Sequence, residues 1–173
     1  MKREIIIILI IWTIFLLFVS TQVKAAELLP HQKQFIDKYS THVLKIPELT
    51  FAICGVESNF GRYTNSQNPE YGVMQMKIIA GRHLVNMLKI ENISDDKLYE
   101  EINKPKVALL MADRFIRCLI DEFNGDVNKA ILAYNRGTSN VRKTPHLDPN
   151  NYVYKVNKLK IEVSKYLKLT NDK

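Results

Sequence analysis

The stretch Phe51-Ala52-Ile53-Cys54-Gly55-Val56-Glu57-Ser58-Asn59-Phe60 decides how this chain is read. Pro47 fits the first turn of a helix, and Leu49, Ala52, Ile53 and Val56 follow it at helical spacing as an inward face. That helix delivers a carboxyl group, Glu57, to the end of an apolar run. Burial disfavours the charged carboxylate and raises its pKa, which makes a glutamate a proton donor near neutral pH. An acidic helix end on its own often just turns out to water. Here three patches accompany it downstream: Tyr71-Gly72-Val73-Met74-Gln75, Ala133-Tyr134-Asn135-Arg136-Gly137 and Tyr152-Val153-Tyr154-Lys155-Val156.

Working outward, helical periodicity dominates and nothing reads as a long alternating strand. A first helix is expected over His31 to Leu44, with Phe35, Ile36, Tyr39 and Val43 on one side. Gly61 to Tyr71 reads as a loop or small hairpin, and Ile78 to Leu88 as a helix. Ser94-Asp95-Asp96 has the chemistry of an N-cap for a short helix ending near Asn103. Pro105 opens the longest internal helix, striped with Val107, Leu110, Met111, Phe115, Cys118, Leu119 and Phe123. Asn124-Gly125 stops it. Asp126 can cap a helix carrying Ala130, Ile131, Ala133 and Tyr134, Gly137 to Asn150 reads as a polar loop, and Tyr152 to Leu167 closes the chain. This final helix aligns Tyr152, Val156, Leu159, Val163 and Tyr166 or Leu167. The pattern predicts one mainly α domain with a small loop or hairpin after Glu57.

Of the 173 residues, the first 25 read as a signal peptide. Met1-Lys2-Arg3 is a basic start, Ile5 to Val19 is apolar apart from Thr13, and Val23-Lys24-Ala25 suits a signal peptidase, with cleavage expected after Ala25. The apolar run of 15 residues is shorter than the roughly 20 needed to span a bilayer, so export to the periplasm is favoured over anchoring. Residues 26–173 then form the domain. The formal charge of +7 includes Lys2, Arg3, Glu4 and Lys24, which together carry +2, so about +5 remains after cleavage. That surplus suits an anionic wall polymer or membrane surface. No compact Lys/Arg cluster, zinc-ligand spacing or RNA-binding aromatic motif points to nucleic acid.

Cys54 and Cys118 both lie in apolar helical contexts, and either a disulfide or two small core residues would account for them. Neither has a basic neighbour that would make a catalytic thiol. His31, His42, His83 and His146 are scattered without ligand spacing, so no metal site is expected.

In order and spacing, the Glu-Ser-x-Phe element at Glu57, Gly-x-Met-Gln at Gly72, Ala-Tyr-Asn at Ala133 and Tyr-Val-x-Lys-Val at Tyr152 resemble a known family. It is the soluble lytic transglycosylase domain of the lysozyme-like superfamily, and the likeness runs from about residue 48 to residue 156. The resemblance implies a lysozyme-like fold and cleavage of the MurNAc-GlcNAc bond of peptidoglycan, with the sugar's own C6 hydroxyl as acceptor and no metal or cofactor. It implies Glu57 as catalytic acid and base, and Ser58 and Ser66 near the bound sugar. Met74 and Gln75 would line the cleft, and Tyr134, followed by Asn135, would bring its hydroxyl close to the carboxyl. Tyr152 would help build the site or the core beside it. The chain departs from the family's pattern at Met76-Lys77-Ile78-Ile79-Ala80, Ala108, Ala112, Arg136 and Asp148-Pro149.

One carboxylate suffices for that reaction, whereas hydrolytic glycosidases generally use two. Between Glu57 and Gln75 the only other carboxylate is Glu70, beside Pro69 and read as a solvated loop position. If Glu70 reached the cleft, a lysozyme-type muramidase using water would become the reading. A non-catalytic glycan-binding component is a further alternative, against which the retention of Glu57 argues. The expected partner is the peptidoglycan glycan strand, met by a monomer. Wall turnover and service to a secretion, conjugation, pilus or flagellar apparatus stay open.

Overall fold

The computed structural model describes residues 27–40, 43–64, 70–87 and 93–171, and the expected signal peptide and Ser66 lie outside them. The described chain runs through α1 (Pro30–Tyr39), α2 (Pro47–Ser58), β1 (Glu70–Tyr71), β2 (Met76–Lys77), α3 (Ile78–Met87) and α4 (Asp95–Ile102). It continues through α5 (Pro105–Glu122), α6 (Val127–Arg136), α7 (Thr138–Lys143) and α8 (Tyr152–Asn171), the last entered by a 3-10 turn at Pro149–Asn151. The architecture is the expected mainly helical single domain with one small antiparallel hairpin, which pairs Glu70 with Lys77 and Tyr71 with Met76.

α2 is the axis of the fold. Leu49, Thr50, Phe51, Ala52, Ile53 and Cys54 are all buried, and a helix apolar on every side has to be surrounded. α8 lies along one side of it and α5 along another. From α1, Phe35 meets Phe51 and Phe60 edge-on, with ring centroids 6.4 Å and 5.7 Å away. Gly55 permits the close approach of α8, because a Cβ there would sit 2.3 Å from Leu159 Cδ2 and 2.7 Å from the Phe60 ring.

The start of α2 is capped from another helix. Ile46 at the N-cap offers no side-chain acceptor. The buried Asp113 of α5 supplies one instead, accepting from Lys45 N and Ile46 N, each at 3.0 Å, and from Thr50 Oγ1 at 3.2 Å. Its other oxygen accepts from Arg117 Nε at 3.2 Å. A carboxylate here also complements the positive end of the α2 dipole.

Several boundaries differ from expectation. α1 stops at Tyr39 rather than Leu44. Ser40 is already extended, because the chain must turn back for Lys45 and Ile46 to reach Asp113, and Val43 is left exposed. The buried face of α5 is Ala108, Leu109, Ala112, Asp113, Ile116 and Leu119. Of the expected stripe only Leu119 is buried, and the bulky Val107, Leu110, Met111 and Phe115 are half-buried beside that face. Gly137 to Asn150 is not all loop, since α7 forms there and buries Val141. α8 continues four residues past Leu167, to Asn171. The hairpin spans residues 70–77, later than the expected stretch. The alternatives left open for the cysteines resolve to free thiols: Cys54 is buried and Cys118 is half-buried.

Asp113→Ala would leave two backbone N–H groups at the head of α2 without their acceptor. It is expected to cost on the order of 3 kcal/mol, seen as a lower urea midpoint with an unchanged slope.

Candidate active site

Glu57 occupies the last turn of α2, at the point where the helix leaves the interior, and is half-buried. Directly after it the chain reverses through three left-handed residues, Asn59 (φ 49°), Phe60 (φ 57°) and Gly61 (φ 81°). Ser58 holds that reversal in place. Its hydroxyl donates to Val73 O at 2.6 Å, with Cys54 O 3.2 Å away, and accepts from Gly61 N at 2.8 Å. The end of α2 is thereby tied to the hairpin turn. Asn59 Oδ1 adds a link to α1 by accepting from Gln32 Nε2 at 3.2 Å.

The turn between the strands is Gly72-Val73-Met74-Gln75. Gly72 is required at φ 67°, and a Cβ there would lie 2.2 Å from Ile102 O, so the hairpin sits directly against the end of α4. Gln75, itself at φ 45°, closes the turn, its backbone N and its Nε2 donating to Gly72 O at 3.1 Å and 2.8 Å. Tyr134 of α6 reaches across and donates to Met74 O at 2.9 Å. Three turn carbonyls are thus each held by a side chain.

Glu57 faces a cavity of about 500 Å³ between the hairpin and α6. Glu70, Gln75 and Lys77 form one wall, Tyr134, Asn135 and Arg136 another, and His83 and Phe115 also line it. Arg136 secures the far end by donating to Leu147 O, to Thr144 O at 3.3 Å and to Thr144 Oγ1 at 2.8 Å.

The Glu57 carboxyl accepts a hydrogen bond from the Tyr152 hydroxyl. Tyr152 is aimed by the cap of α8, where Asp148 accepts from Val153 N at 3.1 Å and 3.3 Å. Burial pushes the Glu57 pKa up from 4.5 to about 7; the Tyr152 hydrogen bond opposes that rise, the Glu70 charge adds to it and the Lys77 charge opposes it. Burial together with the Glu57 charge holds the Tyr152 and Tyr134 phenols well above their ordinary range. Beneath them Cys54 donates to Val73 O at 3.5 Å, and burial pushes its thiol up to about 12.

Set against the sequence reading, Glu57, Gln75, Tyr134 and Asn135 gather around one cavity, and Tyr152 reaches it through Glu57. Ser58 does not line it: the residue is 1% exposed and its hydroxyl is occupied by the backbone. Met74 also stays out, its side chain packed in the core and only its carbonyl taking part. The tyrosine bonded to the carboxyl is Tyr152, whereas Tyr134 bonds the hairpin. Glu70 is not a solvated loop residue, since it lies on β1, lines the cavity and pairs with Lys77 at 3.5 Å. Lys77, His83 and Arg136 were not singled out as site residues. Only the strand pairing of Lys77 with Glu70, and the four-residue step from Ile79 to His83 along α3, could have pointed to the first two.

A helical domain that aims one half-buried carboxyl from the end of its central helix into a hairpin-walled cleft is lysozyme-like. Residues 34–156 match the transglycosylase SLT domain, and the chain belongs to that family, whose members are generally lytic transglycosylases acting on peptidoglycan. No individual curated protein matches the chain.

Two outcomes follow from the carboxyl's surroundings. Tyr152→Phe removes a hydrogen bond that favours the carboxylate, so Glu57 should titrate higher still, as read by carbon NMR of the labelled carboxyl. In the unfolded chain Glu57 ionises near 4.5, but in the folded chain near 7. Across that window the folded state binds the extra proton, so this group lowers stability as pH rises through it. Glu57→Gln should therefore gain on the order of 2 kcal/mol over the parent above about pH 7 and nothing below about pH 4.5, measured by urea unfolding.

Proposed function

We propose that the protein is exported and cleaves the β-1,4 bond between MurNAc and GlcNAc in peptidoglycan, leaving a 1,6-anhydroMurNAc end. The observation that carries this reading is the Glu57 carboxyl, raised to about 7 by burial, open to the cleft and held by one phenol. Such a group is populated as acid and as base near neutral pH, as both halves of the reaction need.

In the first half the Glu57 carboxyl gives its proton to the glycosidic oxygen, the C1–O bond breaks, and the GlcNAc side leaves with a free 4-hydroxyl. In the second half the Glu57 carboxylate takes the proton of the C6 hydroxyl while that oxygen bonds to C1. The carboxyl is then back in its starting form and no water has been consumed. Tyr152 steadies the carboxylate between the two halves, and its hydrogen bond restrains the pKa that burial raises. Because the acceptor is part of the substrate, orientation replaces a second carboxylate. Gln75 and Asn135 line the cleft for that positioning, and Tyr134 acts behind them by fixing the Met74 carbonyl.

A second reading has its own observation. Glu70 lines the same cavity and its charge acts on Glu57, as the second carboxylate of a water-using muramidase would. Its pairing with Lys77 favours the first reading, in which Glu70 raises the pKa of the acid without touching the sugar.

Digestion of purified peptidoglycan, with released muropeptides weighed by mass spectrometry, separates the two readings. The expected products are one water lighter than hydrolysed ends. Glu57→Gln should lower the rate by about a hundredfold or more, and Glu70→Gln by less than about tenfold. The parent rate should fall as pH rises above about 7, where Glu57 loses its proton. Hydrated ends with a severe Glu70→Gln defect would establish the muramidase instead.

A further inference from the structure

The outer face of α8 takes no part in the site or the core. Its inner face is Tyr152, Val156, Val163 and Leu167, all buried. At 3.6 residues per turn, Tyr154, Lys158, Ile161, Lys165 and Lys168 fall together on the opposite side, within about a quarter turn, and Leu169 adjoins them. Tyr154, Ile161 and Leu169 are 66%, 58% and 66% exposed, and Lys158, Lys165 and Lys168 are exposed between them. Lys155 flanks the ridge, and Glu162 is the one acidic residue of the helix. The result is a straight ridge about 22 Å long on which large apolar side chains alternate with lysines. Beside its C-terminal end lies a groove of about 310 Å³ lined by Leu28, Lys33, Lys165, Tyr166 and Leu169, together with Glu27 and Glu162.

We infer that this ridge docks the domain on an anionic lipid surface. A convex ridge has no concavity for a small ligand. An anionic polymer would use the lysines and leave three exposed apolar side chains unexplained. The central part of a protein interface is depleted in lysine, whereas here lysines occupy the middle of the patch. A lipid interface accommodates both kinds of side chain at once: the apolar ones enter the headgroup boundary, while lysine stems lie along it and their ammonium groups meet phosphates. The docking is independent of the chemistry proposed for the cleft, and it leaves Glu57 and its cavity untouched.

The test uses the full chain carrying Trp12→Phe, which removes the single native indole, and Tyr154→Trp, which places one on the ridge. The indole emission then reports on position 154 alone. The probes are mixed phosphatidylglycerol and phosphatidylcholine vesicles, phosphatidylcholine vesicles, and purified anionic wall polymer. With phosphatidylglycerol present, the emission at position 154 should shift to the blue and be quenched by brominated lipid, and both effects should fade with added salt. A lysine near an anionic surface is worth about fivefold in partitioning, so Lys158→Gln, Lys165→Gln and Lys168→Gln combined should weaken the response by roughly a hundredfold. Ile161→Ser should reduce the quenching while preserving the salt dependence. All four positions are exposed, so helical circular dichroism should be unchanged. The inference is overturned by an unshifted emission on phosphatidylglycerol vesicles, by a response that survives the triple lysine variant, by an equal response on phosphatidylcholine alone, or by a shift on the wall polymer without one on vesicles.

Discussion

α2 has no face that tolerates water, and the arrangement of the other helices follows from the need to enclose it. α8 approaches closely because Gly55 carries no side chain, and α5 turns Ala108, Leu109, Ala112, Asp113, Ile116 and Leu119 inward. Asp113 satisfies the backbone where the helix begins. At the other end the enclosure stops, and Glu57 stands at that opening. The same burial that holds the fold together therefore sets the protonation state of the proposed acid, since the carboxyl cannot be solvated as it would be on a surface.

Around that carboxyl the contributions oppose one another. Burial and the Glu70 charge favour the protonated form, whereas the Tyr152 hydroxyl and the Lys77 charge favour the ionised one. A carboxyl governed by burial alone would hold its proton too tightly to release it. One surrounded only by donors would never carry it at neutral pH. The pairing of Lys77 with Glu70 brings two opposing influences to the same strand position, so the hairpin acts on Glu57 electrostatically as well as by shape.

Much of this was legible in the chain because capping and proline chemistry are local. Pro47, Ser94, Pro105 and Asp126 each mark a helix start that the structure contains, and the run into Glu57 marks its own burial. Less legible were features decided by packing between distant segments. On α5 the bulky residues suggested a stripe, yet the buried face also takes in Ala108, Ala112 and Asp113, which a count of large apolar residues does not weigh. The polar composition of Thr138–Lys143 hid α7, which is held by its neighbours rather than by propensity. At the site, residues from all four motif patches lie around Glu57. Which hydroxyl meets which oxygen was not readable: Tyr134, expected beside the carboxyl, bonds the hairpin, and Tyr152 bonds the carboxyl, because only the tertiary path of α6 and α8 fixes their reach. Ser58 was expected near the bound sugar, but the reversal at Asn59 to Gly61 turns it inward.

The side chains that hold the hairpin all grip its main chain: Ser58 takes the carbonyl of Val73, Tyr134 that of Met74, and Gln75 that of Gly72. A carbonyl oxygen is the same whatever residue bears it. The wall of the cleft is therefore suspended on contacts that do not depend on the identity of most residues displayed on it. Exchanging the side chains that the hairpin turns toward the cavity should therefore leave the distance from that wall to Glu57 unchanged.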